Sequence, residues 1–165
     1  MQKFALVVSL LALLAPAAPA ADQKLSAPDG KLSVIVSDRG GLNFRVEVNG
    51  VPVVTNSPLG LEFRDGTRLG PDAVIQKTDR KKHNGYWENP LGNRARVRDS
   101  WREMRLMLKD TPSGQRTFGL IVRAYDDGIA FRYDLPESSG LGQFVLNNEI
   151  TEFRFAEDYR CWAGR

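Results

Sequence analysis

The sequence predicts an all-β fold, an antiparallel sandwich, and three observations predict it. Short apolar runs alternate with polar residues at a period of two, which sends successive side chains to opposite faces of a sheet. Gly, Pro, Asn and Asp punctuate those runs at close intervals. No stretch carries a convincing helical stripe, the sole weak candidate lying near residues 157–159. Parallel strands would need crossover connections of about a dozen residues or more. A sandwich or a barrel remains, and strands with one apolar and one polar face suit two sheets packed face to face.

A polar lead-in over residues 22–30 ends at the turn Pro28-Asp29-Gly30. Leu32, Val34 and Val36 then alternate with Ser33, Ile35 and Ser37 as a strand, broken by Arg39-Gly40-Gly41. Leu42, Phe44, Val46 and Val48 form the next face. Asn49-Gly50 and the extended run 51–55 make residues 42–55 a hairpin with a primed turn. Pro52 cannot donate to a ladder, which puts the returning strand at an edge or a bulge. Asn56-Ser57-Pro58 predicts another turn, residues 59–64 a strand closed by Asp65-Gly66, and residues 73–78 a short strand. Residues 79–94 lack periodicity and read as a loop longer than usual, which is often functional. Strands follow at 95–99 and 102–109, with Met104, Leu106 and Leu108 facing one way, and then a turn at residues 111–114.

The strongest folding signal is the hairpin over residues 117–135. Phe118, Leu120, Val122 and Ala124 alternate before the turn, and Ile129, Phe131, Tyr133 and Leu135 after it. Asp127-Gly128 is expected to supply the positive φ of a primed two-residue turn. Residues 144–147 and 151–155 read as the last strands, Phe153 and Phe155 sharing a face.

Composition narrows the function. The chain has 165 residues, 42% hydrophobic and 26% charged, with a formal net charge of +3, which fits one ordinary domain. Only Lys77, Arg80, Lys81 and Lys82 cluster, too few for the basic face that nucleic-acid binding needs. A charge-guarded edge strand or a solvated loop explains them better. Lys3, the apolar run 4–15 and Ala18-Pro19-Ala20 fit a signal peptide over residues 1–20, and the run is too short for a membrane span of about 20 residues. The expected product is exported, periplasmic and soluble, a single domain over residues 21–165. One Cys, Cys161, and one His, His83, exclude an internal disulfide and a cysteine or histidine metal cluster.

The turn motifs occur in a telling order: Ala27-Pro28-Asp29-Gly30-Lys31, Ser57-Pro58-Leu59-Gly60-Leu61, Trp87 with Pro90-Leu91-Gly92, Val97-Arg98-Asp99, then residues 124–133, Ala-Tyr-Asp-Asp-Gly-Ile-Ala-Phe-Arg-Tyr. Together with Thr151-Glu152-Phe153-Arg154-Phe155 they resemble the N-terminal domain of glycoside hydrolase family 97, which contains α-glucosidases and α-galactosidases. The resemblance spans nearly all of residues 22–165. It implies a large galactose-mutarotase-like β-sandwich, here without its last strands, and a parent enzyme whose catalytic (β/α)₈ barrel holds the catalytic carboxylates and a calcium ion. A barrel alone takes about 250 residues, so the chain is expected to be inactive by itself, with no cofactor or metal ligand of its own. Cys161 and Trp162-Ala163-Gly164-Arg165 depart from the family pattern, as a frameshift or an unrelated tail would.

Tyr86, Trp87 and Glu88 are the best substrate-binding candidates. Aromatic rings cover the apolar C–H faces of a sugar while neighbouring polar groups fix its hydroxyls, so the expected ligand is an α-linked oligosaccharide. Trp87 is equally readable as an anchor at an interface with the barrel, and Arg94 as structural. Glu149, Glu152, Glu157 and Asp158 read as exposed carboxylates and not as a catalytic pair, which would have to flank one scissile bond. Asp126 and Asp127 read as turn residues capping their own backbone. Trp101 and Trp162 read as core aromatics, His83 as exposed, and Cys161 as a buried or incidental thiol. Two rivals stand beside the accessory-domain reading: a stand-alone periplasmic carbohydrate-binding module, and a non-functional gene fragment.

Overall fold

Alternation builds the strands, and their inward faces build the core. The computed structural model describes residues 22–91, 93–111 and 116–162. The expected signal segment, most of the turn expected at residues 111–114, and Gly92 lie outside the described residues. The strands are β1 (Gln23–Ser26), β2 (Leu32–Ser37), β3 (Asn43–Val48), β4 (Val51–Pro58), β5 (Leu61–Phe63), β6 (Arg68–Leu69), β7 (Ala73–Glu88), β8 (Arg96–Asp110), β9 (Arg116–Tyr125), β10 (Gly128–Asp134) and β11 (Leu146–Glu149). Among the described residues a single 3₁₀ turn covers Glu137–Ser139.

Every pairing is antiparallel, as the short connections require. One four-stranded sheet runs β1-β2-β3-β4, a second runs β10-β9-β8-β7, and a small third sheet runs β11-β5-β6. Val34, Val36, Phe44 and Val46 of the first sheet form one buried cluster with Met104, Leu106, Leu108, Phe118, Leu120 and Val122 of the second. Full burial of one such side chain contributes about 1.5–3 kcal/mol, so this inter-sheet layer dominates stability. Ile35 is also buried, although it is not part of that cluster. Its cross-strand partners Lys24 and Arg45 cover it with their aliphatic stems, while Lys24 binds Glu47 at 3.3 Å and Arg45 binds Asp22 at 3.0 Å.

The two expected hairpins form, by different turns. Asn49 (φ 52°) and Gly50 (φ 80°) adopt the left-handed conformation of a primed turn. In the other hairpin Tyr125 pairs with Gly128, so Asp126 and Asp127 are the turn. Neither they nor Gly128 has a positive φ, and the expected primed turn is corrected. Asp126 does not cap its own backbone either: its Oδ1 accepts the Asp29 N–H at 2.8 Å. That bond ties the β9–β10 turn to the β1–β2 turn.

Elsewhere the chain is more extended than its pattern suggests. The lead-in contains β1, because Leu25 is buried against the core. Asn56-Ser57-Pro58 continues β4 and is not a turn, and the two strands expected at 95–99 and 102–109 are one strand, β8. Residues 151–156 run extended beside β4, with one bridge between Val54 and Phe155. Residues 157–159 are not helical. Trp162 is 99% exposed and Cys161 is exposed, so neither belongs to the core.

Gly70 closes the β6–β7 turn at φ +115°, where a Cβ would lie 2.4 Å from the Leu59 carbonyl oxygen. Gly50 also has a positive φ, yet nothing lies within 4 Å of its Cβ position. Gly70→Ala therefore combines backbone strain with a clash and should cost about 2–4 kcal/mol, whereas Gly50→Ala should cost about 1 kcal/mol. Urea unfolding of both variants checks the difference, and equal losses would refute the assigned clash.

Candidate functional site

The expected loop at residues 79–94 is instead the outer half of a long hairpin. β7 pairs with β8 from Ala73–Asp110 to Glu88–Arg96. β8 pairs with β9 only between Arg102 and Asp110. Residues 83–88 and 96–101 thus form a two-stranded ribbon beyond the sandwich, about 20 Å long at 3.3 Å per residue. Its aperiodic sequence has a physical cause. Both faces of the ribbon meet solvent, so neither face selects for apolar residues. The run Lys77, Arg80, Lys81 and Lys82 lies on β7, the terminal strand of its sheet, and guards that edge with charge.

Strand parity separates the sequence candidates. Tyr86 and Glu88 project from one face of the ribbon, with Lys82, Arg96, Arg98 and Arg102, and Trp87 projects from the other. Tyr86 is 58% exposed and Trp87 50% exposed. The Arg96 guanidinium sits 4.1 Å from the centre of the Tyr86 ring, a cation–π contact that fixes the ring's orientation. One face of Tyr86 is thereby occupied, while its edge and hydroxyl remain presented. Arg94 lies exposed in the loop joining the two strands.

At the base of the ribbon the opposite face carries a ladder that the sequence reading missed. His83 stacks on Trp101 at 5.3 Å and approaches Asp99 at 3.3 Å. Arg123 lies 4.1 Å over the Trp101 ring and binds the buried Glu103 at 2.8 Å. The bonds to Glu103 and Tyr125 push the Arg123 pKa up, so the cation is secured where it stacks. A shallow depression of about 390 Å³ lies at the base of the ribbon mainly on the Tyr86 face, where Lys82, Asn84, Arg98, Ser100 and Arg102 line it, with His83 and Trp101 also at its wall. The alternation of 95–109 would have shown Trp101, Glu103 and Arg105 sharing one face, had residues 95–109 been read as one strand.

Glu149, Glu152, Glu157 and Asp158 are exposed, and Glu152 is engaged by Arg154 at 2.8 Å. Among the described residues no three acidic, histidine or cysteine side chains gather as a metal site, and no helix is long and apolar enough to cross a membrane. Tyr133, on β10, is half-buried, with its hydroxyl 2.7 Å from Thr151 Oγ1. Burial pushes its pKa up to about 12, against the opposing pull of the Thr151 bond.

The layered antiparallel sheets and the projecting arm define a β-sandwich module with a solvent-facing, aromatic-bearing ribbon. The comparisons sharpen that class. The chain belongs to the glycosyl-hydrolase 97 N-terminal family, whose profile matches residues 25–165. It is 26% identical over 134 residues to a retaining α-galactosidase of Bacteroides thetaiotaomicron, matching 81% of this chain and 19% of that protein. A probable retaining α-galactosidase of Streptomyces bingchenggensis is 30% identical over 139 residues, covering 84% of this chain and 21% of that one. A glycoside hydrolase family 97 enzyme from Pseudoalteromonas sp. strain K8, solved with panose, superposes with a TM-score of 0.77 at 27% identity, over 81% of this chain and 20% of that one. A β-arabinopyranosidase superposes with a TM-score of 0.73 at 25% identity, over 82% and 21%. The chain spans about a fifth of the length of these relatives.

The Tyr133 environment gives a pH prediction. A raised phenol pKa means that the folded state favours the neutral form. The associated stability is complete below the unfolded value near 10 and is lost as pH rises through about 12. Urea unfolding across pH 9–12 should show the native protein losing stability relative to Tyr133→Phe, with the difference constant below pH 9. Parallel curves would refute the buried phenol.

Proposed function

We propose that the chain serves as the accessory N-terminal β-sandwich of an exported, periplasmic glycoside hydrolase acting on α-glucosides or α-galactosides. The observation that carries this reading is the family match over residues 25–165, set against relatives about five times longer. In this reading the catalytic (β/α)₈ barrel of the larger enzyme supplies the hydrolytic carboxylates. In the same reading the calcium ion expected of the larger enzyme belongs with the barrel. This chain contributes the ribbon. Trp87 offers a flat apolar face to the C–H surface of a sugar ring, while Tyr86, held by Arg96, and Glu88 present hydroxyl partners on the other side. Because the two faces diverge, the ribbon grips an oligosaccharide only when another surface closes over it. Framing a substrate entrance meets that requirement.

A second reading, a stand-alone carbohydrate-binding module, is favoured by the exposure of both rings. The two readings differ in affinity. As a partial wall, the ribbon should bind panose no better than millimolar; as a complete site, it should bind more tightly.

Purified residues 22–165 should release no nitrophenol from aryl α-glucosides or α-galactosides, and turnover would overturn the accessory assignment. Titration calorimetry with panose should give a weak signal that Trp87→Ala reduces by about fivefold. Binding unaffected by that substitution would remove the ribbon from the site.

A further inference from the structure

The ribbon sorts its charges between its two faces. On the Trp87 face they are matched: His83 approaches Asp99, and Arg123 holds Glu103. The Tyr86 face carries four cations, Lys82, Arg96, Arg98 and Arg102, against one acid, Glu88. Among the described residues none of those four cations makes an ion pair. Arg96 is taken up by the Tyr86 ring at 4.1 Å, and the Arg102 guanidinium donates to the Pro28 carbonyl at 3.5 Å. Lys82 and Arg102 are direct cross-strand partners, a like-charge pairing that costs stability.

Three of these cations meet around a concavity, the depression of about 390 Å³ at the base of the ribbon. Lys82 and Arg102 form one of its rungs. Arg98 belongs to another, four residues along and about 13 Å away at 3.3 Å per residue. Between them lies the pair Asn84–Ser100, an amide and a hydroxyl that each donate and accept hydrogen bonds. Pro28, from the β1–β2 turn, is also in the wall, and among the described residues no carboxylate lines the depression. The acid next to Pro28, Asp29, is held by Lys31 at 3.7 Å.

We infer that this depression binds an anionic sugar, a pyranose that carries a carboxylate. The inference rests on the carbohydrate-binding reading of the ribbon and narrows it to acidic saccharides. Arg98 and Arg102 offer the forked N–H groups that match a carboxylate, and Lys82 adds a point charge. Asn84 and Ser100 serve the ring hydroxyls. A bound carboxylate also relieves the repulsion between Lys82 and Arg102. The volume falls in the range of small-ligand sites, about 300–1,000 Å³. A polypeptide surface, of this chain or another, suits the depression less, because the buried centres of interfaces are depleted in charged residues, Lys among them. Nucleic acid suits it less as well, since three cations around one short depression make no track along a phosphate backbone.

Calorimetric titration of residues 22–165 with α-linked trigalacturonate should give saturable binding, about tenfold tighter than with neutral α-linked galactotriose. Arg98→Gln and Lys82→Gln should each weaken it by about tenfold. Arg98→Lys keeps the charge but loses the forked donors, so it should recover only part of that loss. Both residues are exposed, so the core stays intact, and thermal unfolding checks that it does. Lys77→Gln removes a charge from the same strand, one already held by Asp79 at 3.0 Å, and should bind as the native chain does. Binding indifferent to the Arg98 and Lys82 substitutions would overturn the site. Displacement of the uronate by an equal concentration of inorganic sulfate would overturn it as well, leaving an adventitious ion only. Tighter binding of a single-stranded oligonucleotide would overturn it in favour of nucleic acid. Equal affinity for the acidic and neutral sugars, with panose still bound, would remove the anion site and spare the carbohydrate reading. Failure to bind any of the three sugars would remove both.

Discussion

The inner faces of the two four-stranded sheets meet through Phe44, Val34, Val36 and Val46 on one side and Met104, Leu106, Leu108, Phe118, Leu120 and Val122 on the other. Because the side-chain period of a strand is two, this contact also dictates what every other position does. Once Leu106 points inward, Trp101, Glu103 and Arg105 must point outward, and the Trp101–Arg123 stack is possible only in that register. A slip of one residue in β8 would bury Glu103 and Arg105 in the core and expose Met104 and Leu106. Burial on one face therefore specifies chemistry on the other.

Carboxylates do most of the remaining positioning, and they do it through backbone amides. Asp126 receives the Asp29 N–H, Asp38 receives the Ile75 N–H at 2.8 Å, and the buried Asp110 receives the Gly70 N–H at 3.3 Å. Each bond joins a turn or strand start to a distant part of the chain. The adjacent acids Asp126-Asp127 thus lose any catalytic appearance. They occupy the turn of a hairpin, and one of them is committed to holding a second turn in place.

Legibility in the sequence followed exposure. Strands with an alternating apolar face turned to the core, such as β2, β3, β9 and β10, announced themselves by that alternation, and Asn49-Gly50 announced its turn because both residues must take a positive φ. The ribbon did not, because Lys81, Lys82, His83, Asn84 and Gly85 meet water on both faces and carry no period. β1 was hidden for another reason: four residues are too few to display alternation, and only Leu25 is buried. In the candidate site, Tyr86, Trp87 and Glu88 were recognisable as an aromatic–acid run. Their division between two faces was not, since it depends on strand structure that the run conceals. The contact between Arg96 and Tyr86 spans a loop and could be found only from the register. The order of turn motifs, by contrast, pointed to the glycoside hydrolase 97 N-terminal family without any knowledge of the packing.

β8 is one covalent strand in two thermodynamic regimes. Over Arg102–Asp110 it is paired on both edges and sealed by the core, so its amides can open only when the domain unfolds. Over Arg96–Trp101 it has one partner strand and water on both faces, and a ribbon of that kind is marginal by itself. Protection should therefore decay from Leu106 towards Arg96, a gradient of fraying written along a single element. In the proposed role, a sugar held at the tip would spend its free energy on quieting the ribbon and leave the sandwich beneath as it was. The stable core and the fraying tip are thus carried by the same strand yet remain largely uncoupled.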